Sequence, residues 1–232
     1  MKKVLAPIAL LVWVFSATIV SQLAIGYLLL FILGPDKFKL PVWTAVYSAL
    51  TYAASFALIT LVPAKIFKKW RTSREELGLK GSPTWTDIGL APVGYIVSLA
   101  LAAILVWIFN FFPWFNPDEV QNVGFSTFLI GGDRIIAFIT LVVIAPIAEE
   151  LIFRGWLYGK LRRRLSMPIA IFLVSFLFGL VHGQWNVGVN VFALSVVLCG
   201  LREITGTIYS GILVHILKNA VAFFLLYVIG VG

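Results

Sequence analysis

Between Val4 and Leu33 the chain contains no charged side chain. That run is longer than the ~20 residues a helix needs to cross a bilayer, and about twice the apolar core of a secretory signal. Although Met1-Lys2-Lys3 ahead of it and Phe15-Ser16-Ala17 within it mimic parts of a signal peptide, the stretch reads as a retained first span. Composition extends the conclusion to the whole chain. Hydrophobic residues make up 61% of 232 positions and charged residues 12%, against roughly 25% charged in soluble domains. A soluble domain of this size still leaves about a quarter of its unfolded-chain surface in water. This sequence has too little polar surface for that, and a bilayer is the solvent that suits it.

Seven apolar segments are long enough to serve as spans, at about 4–33, 42–64, 87–112, 135–159, 168–183, 187–202 and 207–231. The fifth and sixth are short, so eight is the upper count. No internal repeat and no low-complexity tract interrupts them. The expectation is an all-α polytopic bundle, 1–232, forming a single transmembrane domain.

The formal charge of +8 does not point to nucleic acid. The basic residues fall in short clusters between apolar runs: Lys2-Lys3, Lys65 through Lys80, and Lys160 with Arg162 to Arg164. Such clusters mark loops that face anionic headgroups on the cytoplasmic side of a membrane. Seven spans put all three on one side, with the N-terminus cytoplasmic and the C-terminus outside, in the cell membrane. The loop holding Asp118 and Glu119 is not basic, whereas Lys37 and Lys39 run mildly against the rule. The longest polar connection, 65–86, reads as a cytoplasmic loop with a short surface helix. The lone cysteine, Cys199, excludes an internal disulfide and reads as packing.

An ionisable group inside a span costs several kcal/mol unless it is paired or functional. The fourth span contains Glu149-Glu150-Leu151-Ile152-Phe153-Arg154-Gly155. Glu150 and Arg154 are spaced i, i+4 in the favourable acid-first order and can neutralise each other. Glu149 points about 100° away on an α-helix and is left without a partner on its own helix. A carboxylate in an apolar setting holds its proton more readily, which suits a group that takes and returns one near neutral pH. The chain's two histidines also lie in apolar segments, as Phe178-Gly179-Leu180-Val181-His182 and His215-Ile216-Leu217-Lys218-Asn219. Counted at 1.5 Å per residue from the cytoplasmic span ends, Glu149, His182, His215 and Asn219 lie roughly 16, 21, 12 and 18 Å deep. Groups distant in sequence therefore converge on one level of the membrane.

These residues resemble the three ordered motifs of the CPBP family, which includes CAAX prenyl endopeptidases, bacteriocin-processing enzymes and related immunity proteins. The resemblance runs over about 140–223 and also takes in Arg154-Gly155 and Thr205-Gly206. It implies an intramembrane protease in which Glu149 activates water and His182 assists the glutamate or the tetrahedral intermediate. His215 and Asn219 would be the oxyanion-stabilising pair, with Glu150 and Arg154 holding the helix. It implies no cofactor and no metal, and a membrane-embedded or lipidated protein or peptide as substrate. The motif gives Lys218 no role. Three other readings compete. A zinc-dependent membrane protease would use the histidines and a glutamate as ligands, although zinc ligands often come as a His-x-x-x-His pair, which is missing here, and asparagine is a poor zinc ligand. A non-enzymatic membrane scaffold or immunity protein would use the polar cluster only for packing. A transporter would relay protons through the carboxylates, without the inverted repeat many transporters show.

Overall fold

The computed structural model describes residues 2–66, 68, 70–119, 125, 129 and 131–230, and every regular element among them is a helix. Lys69 and the side chains of Lys2 and Lys3, members of the basic clusters, lie outside the described residues. Among the described residues six helices are long and apolar enough to cross a membrane: α1 (Leu5–Phe38), α2 (Pro41–Ile66), α3 (Trp85–Phe109), α4 (Gly131–Arg162), α6 (Trp185–Thr205) and α7 (Tyr209–Ile229). The seventh, α5 (Met167–Leu180), is shorter. Each expected span has its helix, and the seven together make the all-α polytopic bundle anticipated from the sequence.

Two ends differ from the sequence reading. The first helical run continues past Leu33 to Phe38, but only through a break at Gly34, whose φ of 76° no helix contains. Pro35, which follows, resists a helical residue before it and restarts the helix. The surface helix expected within 65–86 shrinks to a single turn at 74–78. Gly78 ends it with a φ of 78°, donating to the Glu75 carbonyl at 3.0 Å. A left-handed glycine of this kind is an ordinary helix stop.

Lipid-facing surfaces and protein core are easily told apart. Phe31 and Trp85 are 89% and 87% exposed, and apolar side chains stand out all along α1 and α3. The main buried cluster instead gathers Leu10 and Val14 of α1, Ile59 of α2, Trp156 and Leu161 of α4 and Phe178 of α5. Cys199 belongs to the same cluster and is fully buried. In contact terms α3 packs on α6 and α7, α5 packs on α6, and α2 lies against both α1 and α4.

Helix α4 is not α-helical throughout. It widens to π geometry at Ile139–Ile144 and again at Glu150–Leu157. Pro146 accounts for part of this, since proline removes a donor from the ladder. π-Bulges shift side chains around a helix, and they occur often at functional sites. Glu149 sits at the junction, as the last residue before the second π segment.

The polar ends of the bundle are tied together. Glu76 pairs with Lys160 at 3.0 Å and Arg163 at 2.6 Å, and the Glu76 carbonyl accepts from Arg202 at 3.1 Å. The Gly78 carbonyl accepts from the Ile208 backbone at 3.2 Å. The basic clusters of 65–80 and 160–164 therefore share one end of the molecule. At the other end, Asn186 donates to the Glu119 carbonyl at 2.6 Å, and Trp114 packs on Trp185. This places the Asp118-Glu119 loop beside the α5–α6 turn that carries His182.

Candidate active site

Glu150 and Arg154 form an ion pair at 2.9 Å with both side chains fully buried. The guanidinium also lies 4.3 Å above the Phe178 ring, so a cation–π contact helps to replace lost water. The same Glu150 oxygen, Oε1, faces His215 Nδ1 at 3.0 Å. An ionised carboxylate only accepts, which makes Nδ1–H the donor and leaves Nε2 pointing away. His215 Nε2 in turn lies 3.7 Å from Glu149 Oε2. The adjacent glutamates, expected to diverge, thus end on opposite nitrogens of one imidazole.

Glu149 has a second neighbour that the sequence analysis did not identify. The hydroxyl of Tyr52, on α2, donates to Glu149 Oε1 at 2.6 Å. A cavity of about 200 Å³ opens here, bounded by Thr18 and Gln22 of α1, Thr51, Tyr52 and Ser55 of α2, Glu149, and His182. It is the size of several waters or a small part of a peptide chain. The Thr51 and Ser55 hydroxyls are buried with no partner among the described residues. Most hydroxyls on these helices behave differently: Thr18, Ser21, Ser48 and Thr60 each bond the carbonyl four residues back. A signal for this wall exists in the sequence, since Ser48, Thr51, Tyr52 and Ser55 recur at helical spacing on one face of α2.

His182 reaches the cavity from the turn after α5. Its Nδ1–H donates to the Phe178 carbonyl at 2.7 Å, so Nε2 of the neutral ring is an acceptor. Asn219 and His215 do not line the cavity as described. The Asn219 amide donates to the Leu141 carbonyl at 2.8 Å. It thereby pins α7 to the first π segment of α4, where a displaced carbonyl needs a donor. Lys218 interacts electrostatically with both Glu149 and His182. Among the described residues no group of three His, Cys, Asp or Glu side chains converges as a metal site would require.

A sequence comparison connects this arrangement to known proteins. Residues 131–221 match the family described as type II CAAX prenyl endopeptidase Rce1-like. The similarity to that family is confined to this segment. It spans α4 to most of α7 and contains every residue of the three motifs, so the family resemblance read from the sequence holds over the part of the chain that carries the chemistry. No curated protein and no solved structure matches the chain significantly. Tyr52, Thr51 and Ser55 lie outside the matched segment: the cavity has one wall from that segment and one from the N-terminal helices.

Proposed function

We propose that this protein is an intramembrane endopeptidase that hydrolyses a peptide bond of a membrane-embedded or lipidated substrate by means of a glutamate-activated water. One observation carries the reading: Glu149 of α4 and His182 from the α5–α6 turn line the same cavity, where they and a few hydroxyls are the polar groups in a largely apolar wall. Both offer acceptor atoms, and a water between them can give a hydrogen to each while its lone pair faces a peptide carbonyl. Glu149 takes the proton as the water attacks and returns it to the departing amine, so the carboxylate ends the cycle unchanged.

His215 is held by Glu150, itself paired with Arg154, behind Glu149, where it supports the base. Asn219 uses one amide hydrogen on Leu141 and keeps the other for an oxyanion. That part requires the substrate carbonyl to enter past Glu149. Donors aimed at a developing oxyanion are typically worth about 10²–10³ in rate.

The test is Glu149→Gln, which keeps shape and hydrogen bonding but removes the basic carboxylate. Mass spectrometry of membrane peptides, compared with and without the wild-type protein, supplies the cleavage products to follow. The variant is expected to accumulate normally and lose about 10²–10⁴ of the cleavage rate. Normal cleavage by a well-expressed Glu149→Gln protein would sink the proposal. Loss of wild-type cleavage on chelator treatment, restored by zinc, would replace it with the metal-dependent reading.

A further inference from the structure

The Rce1-like segment supplies Glu149, but it does not by itself fix where the carboxylate points. Glu149 Oε2 is 3.7 Å from His215 Nε2, beyond hydrogen-bond distance. Among the described residues the one short contact of its oxygens is the 2.6 Å bond from the Tyr52 hydroxyl to Oε1. A hydroxyl bonded to a carboxylate at that distance is a charge-assisted hydrogen bond, roughly twice as strong as a neutral one. Among the described residues the Tyr52 hydroxyl makes no other bond, and Tyr52 lines the cavity together with Thr51 and Ser55.

We infer that Tyr52 is the positioning residue of the site, a donor from α2 that orients the Glu149 carboxylate and directs its proton-accepting lone pairs into the cavity. The inference rests on the protease reading above. It gives α2 a function in catalysis that no part of the Rce1-like segment contains. Tyr52 occupies one lone pair of Oε1 on the side of α2, so the carboxylate is held at two ends: its own backbone on α4 and the phenol opposite. Other charged or titratable groups around Glu149 are His215 and Lys218 from α7, His182 from the α5–α6 turn, and the paired Glu150 and Arg154 on its own helix. None of them donates to Oε1.

Tyr52→Phe removes the hydroxyl and keeps the ring, so packing is preserved. Dicyclohexylcarbodiimide reacts with protonated carboxyls in apolar surroundings and gives a readout that needs no substrate. Modification of Glu149 is followed by peptide mass spectrometry across a pH series, with Glu149→Gln fixing the assignment. Without its donor the carboxylate binds a proton more readily. The pH of half-modification is therefore expected to rise by about one unit in Tyr52→Phe, the worth of one hydrogen bond to a charged group. Fluorotyrosine at position 52, a stronger donor in the same place, is expected to move it down. Cleavage of a farnesylated peptide ending in a CAAX sequence is expected to lose about tenfold in kcat with KM little changed. Equal half-modification pH in wild type and Tyr52→Phe overturns the inference and leaves the protease reading intact. Wild-type cleavage by Glu149→Gln overturns the protease reading, and Tyr52 then positions no base.

Discussion

At the scale of single residues, the Glu150–Arg154 pair shows how much electrostatic work a short motif contains. Both side chains are sealed from solvent, and Glu150 also receives the His215 ring. Removing one partner of a buried pair costs about 3–5 kcal/mol, because the remaining charge is stranded. Arg154→Ala is therefore expected to lower yield and thermal stability in detergent. The double variant Glu150→Gln with Arg154→Gln should recover part of the loss, since neither amide strands a charge and the Gln carbonyl still accepts from His215. Identical melting of single and double variants would argue against the pair. This contact was legible in the sequence because both partners sit four residues apart on one helix. Tyr52 was not, because its value depends on which face α2 turns toward a helix 97 residues away. A polar stripe on α2 was visible; its partner was not. The convergence of both glutamates on His215 was hidden for a third reason. The α-helical spacing that separates neighbours by about 100° assumes a regular helix, and α4 becomes a π-helix at Glu150.

At the scale of elements, the seating of α5 on α6 depends on two glycines that meet backbone to backbone. Where α5 meets α6, a Cβ added to Gly179 would stand 2.8 Å from the Gly188 carbonyl oxygen. That atom belongs to backbone and cannot turn aside. Gly179→Ala is therefore expected to push α5 from α6, lowering thermal stability and displacing His182, three residues further on. The loss of cleavage should exceed that of Gly200→Ala, where nothing stands within 4 Å of the added carbon; equal activity in the two variants would show that the glycine contact does not hold His182. Sequence reading located α5 as an apolar segment and His182 near its end. It gave no hint that Gly179 and Gly188 set the spacing, because a glycine in an apolar run has the same appearance whether it packs against backbone or lipid. The connection at 70–84 adds a pH dependence. Burial acts to raise the Glu76 carboxyl, but the bonds from Arg163 and Lys160 outweigh it and hold it below its ordinary value of 4.5. A lowered carboxyl stabilises the folded state above its ordinary value and loses that contribution as pH falls through the lowered one. Amide hydrogen exchange of the 70–84 segment, corrected for the intrinsic pH dependence, should accordingly be faster in Glu76→Gln than in wild type at neutral pH, with the difference fading in acid.

For the molecule as a whole, the structure gathers the polar connections at two opposite ends. The turn at 74–78, the basic end of α4 and the α6–α7 connection meet at one end, and the Asp118-Glu119 loop caps the opposite one. Lys and Arg in short loops favour the cytoplasm. The end containing Lys160, Arg163 and Lys80 should therefore be inside, with the α5–α6 turn and His182 nearer the outer face. Cys199 is fully buried and is the chain's single cysteine, so a Cys199→Ser background allows clean labelling. Ser82→Cys, Ser166→Cys and Asp118→Cys place thiols at exposed positions on the two ends. In sealed cells a membrane-impermeant maleimide is expected to modify Asp118→Cys alone. In inverted vesicles the same reagent should modify Ser82→Cys and Ser166→Cys and spare Asp118→Cys. Reaction of Ser166→Cys from outside would invert the orientation. It would also reverse the depth order of the site, so that a substrate entering from the cytoplasm would meet His182 before Glu149.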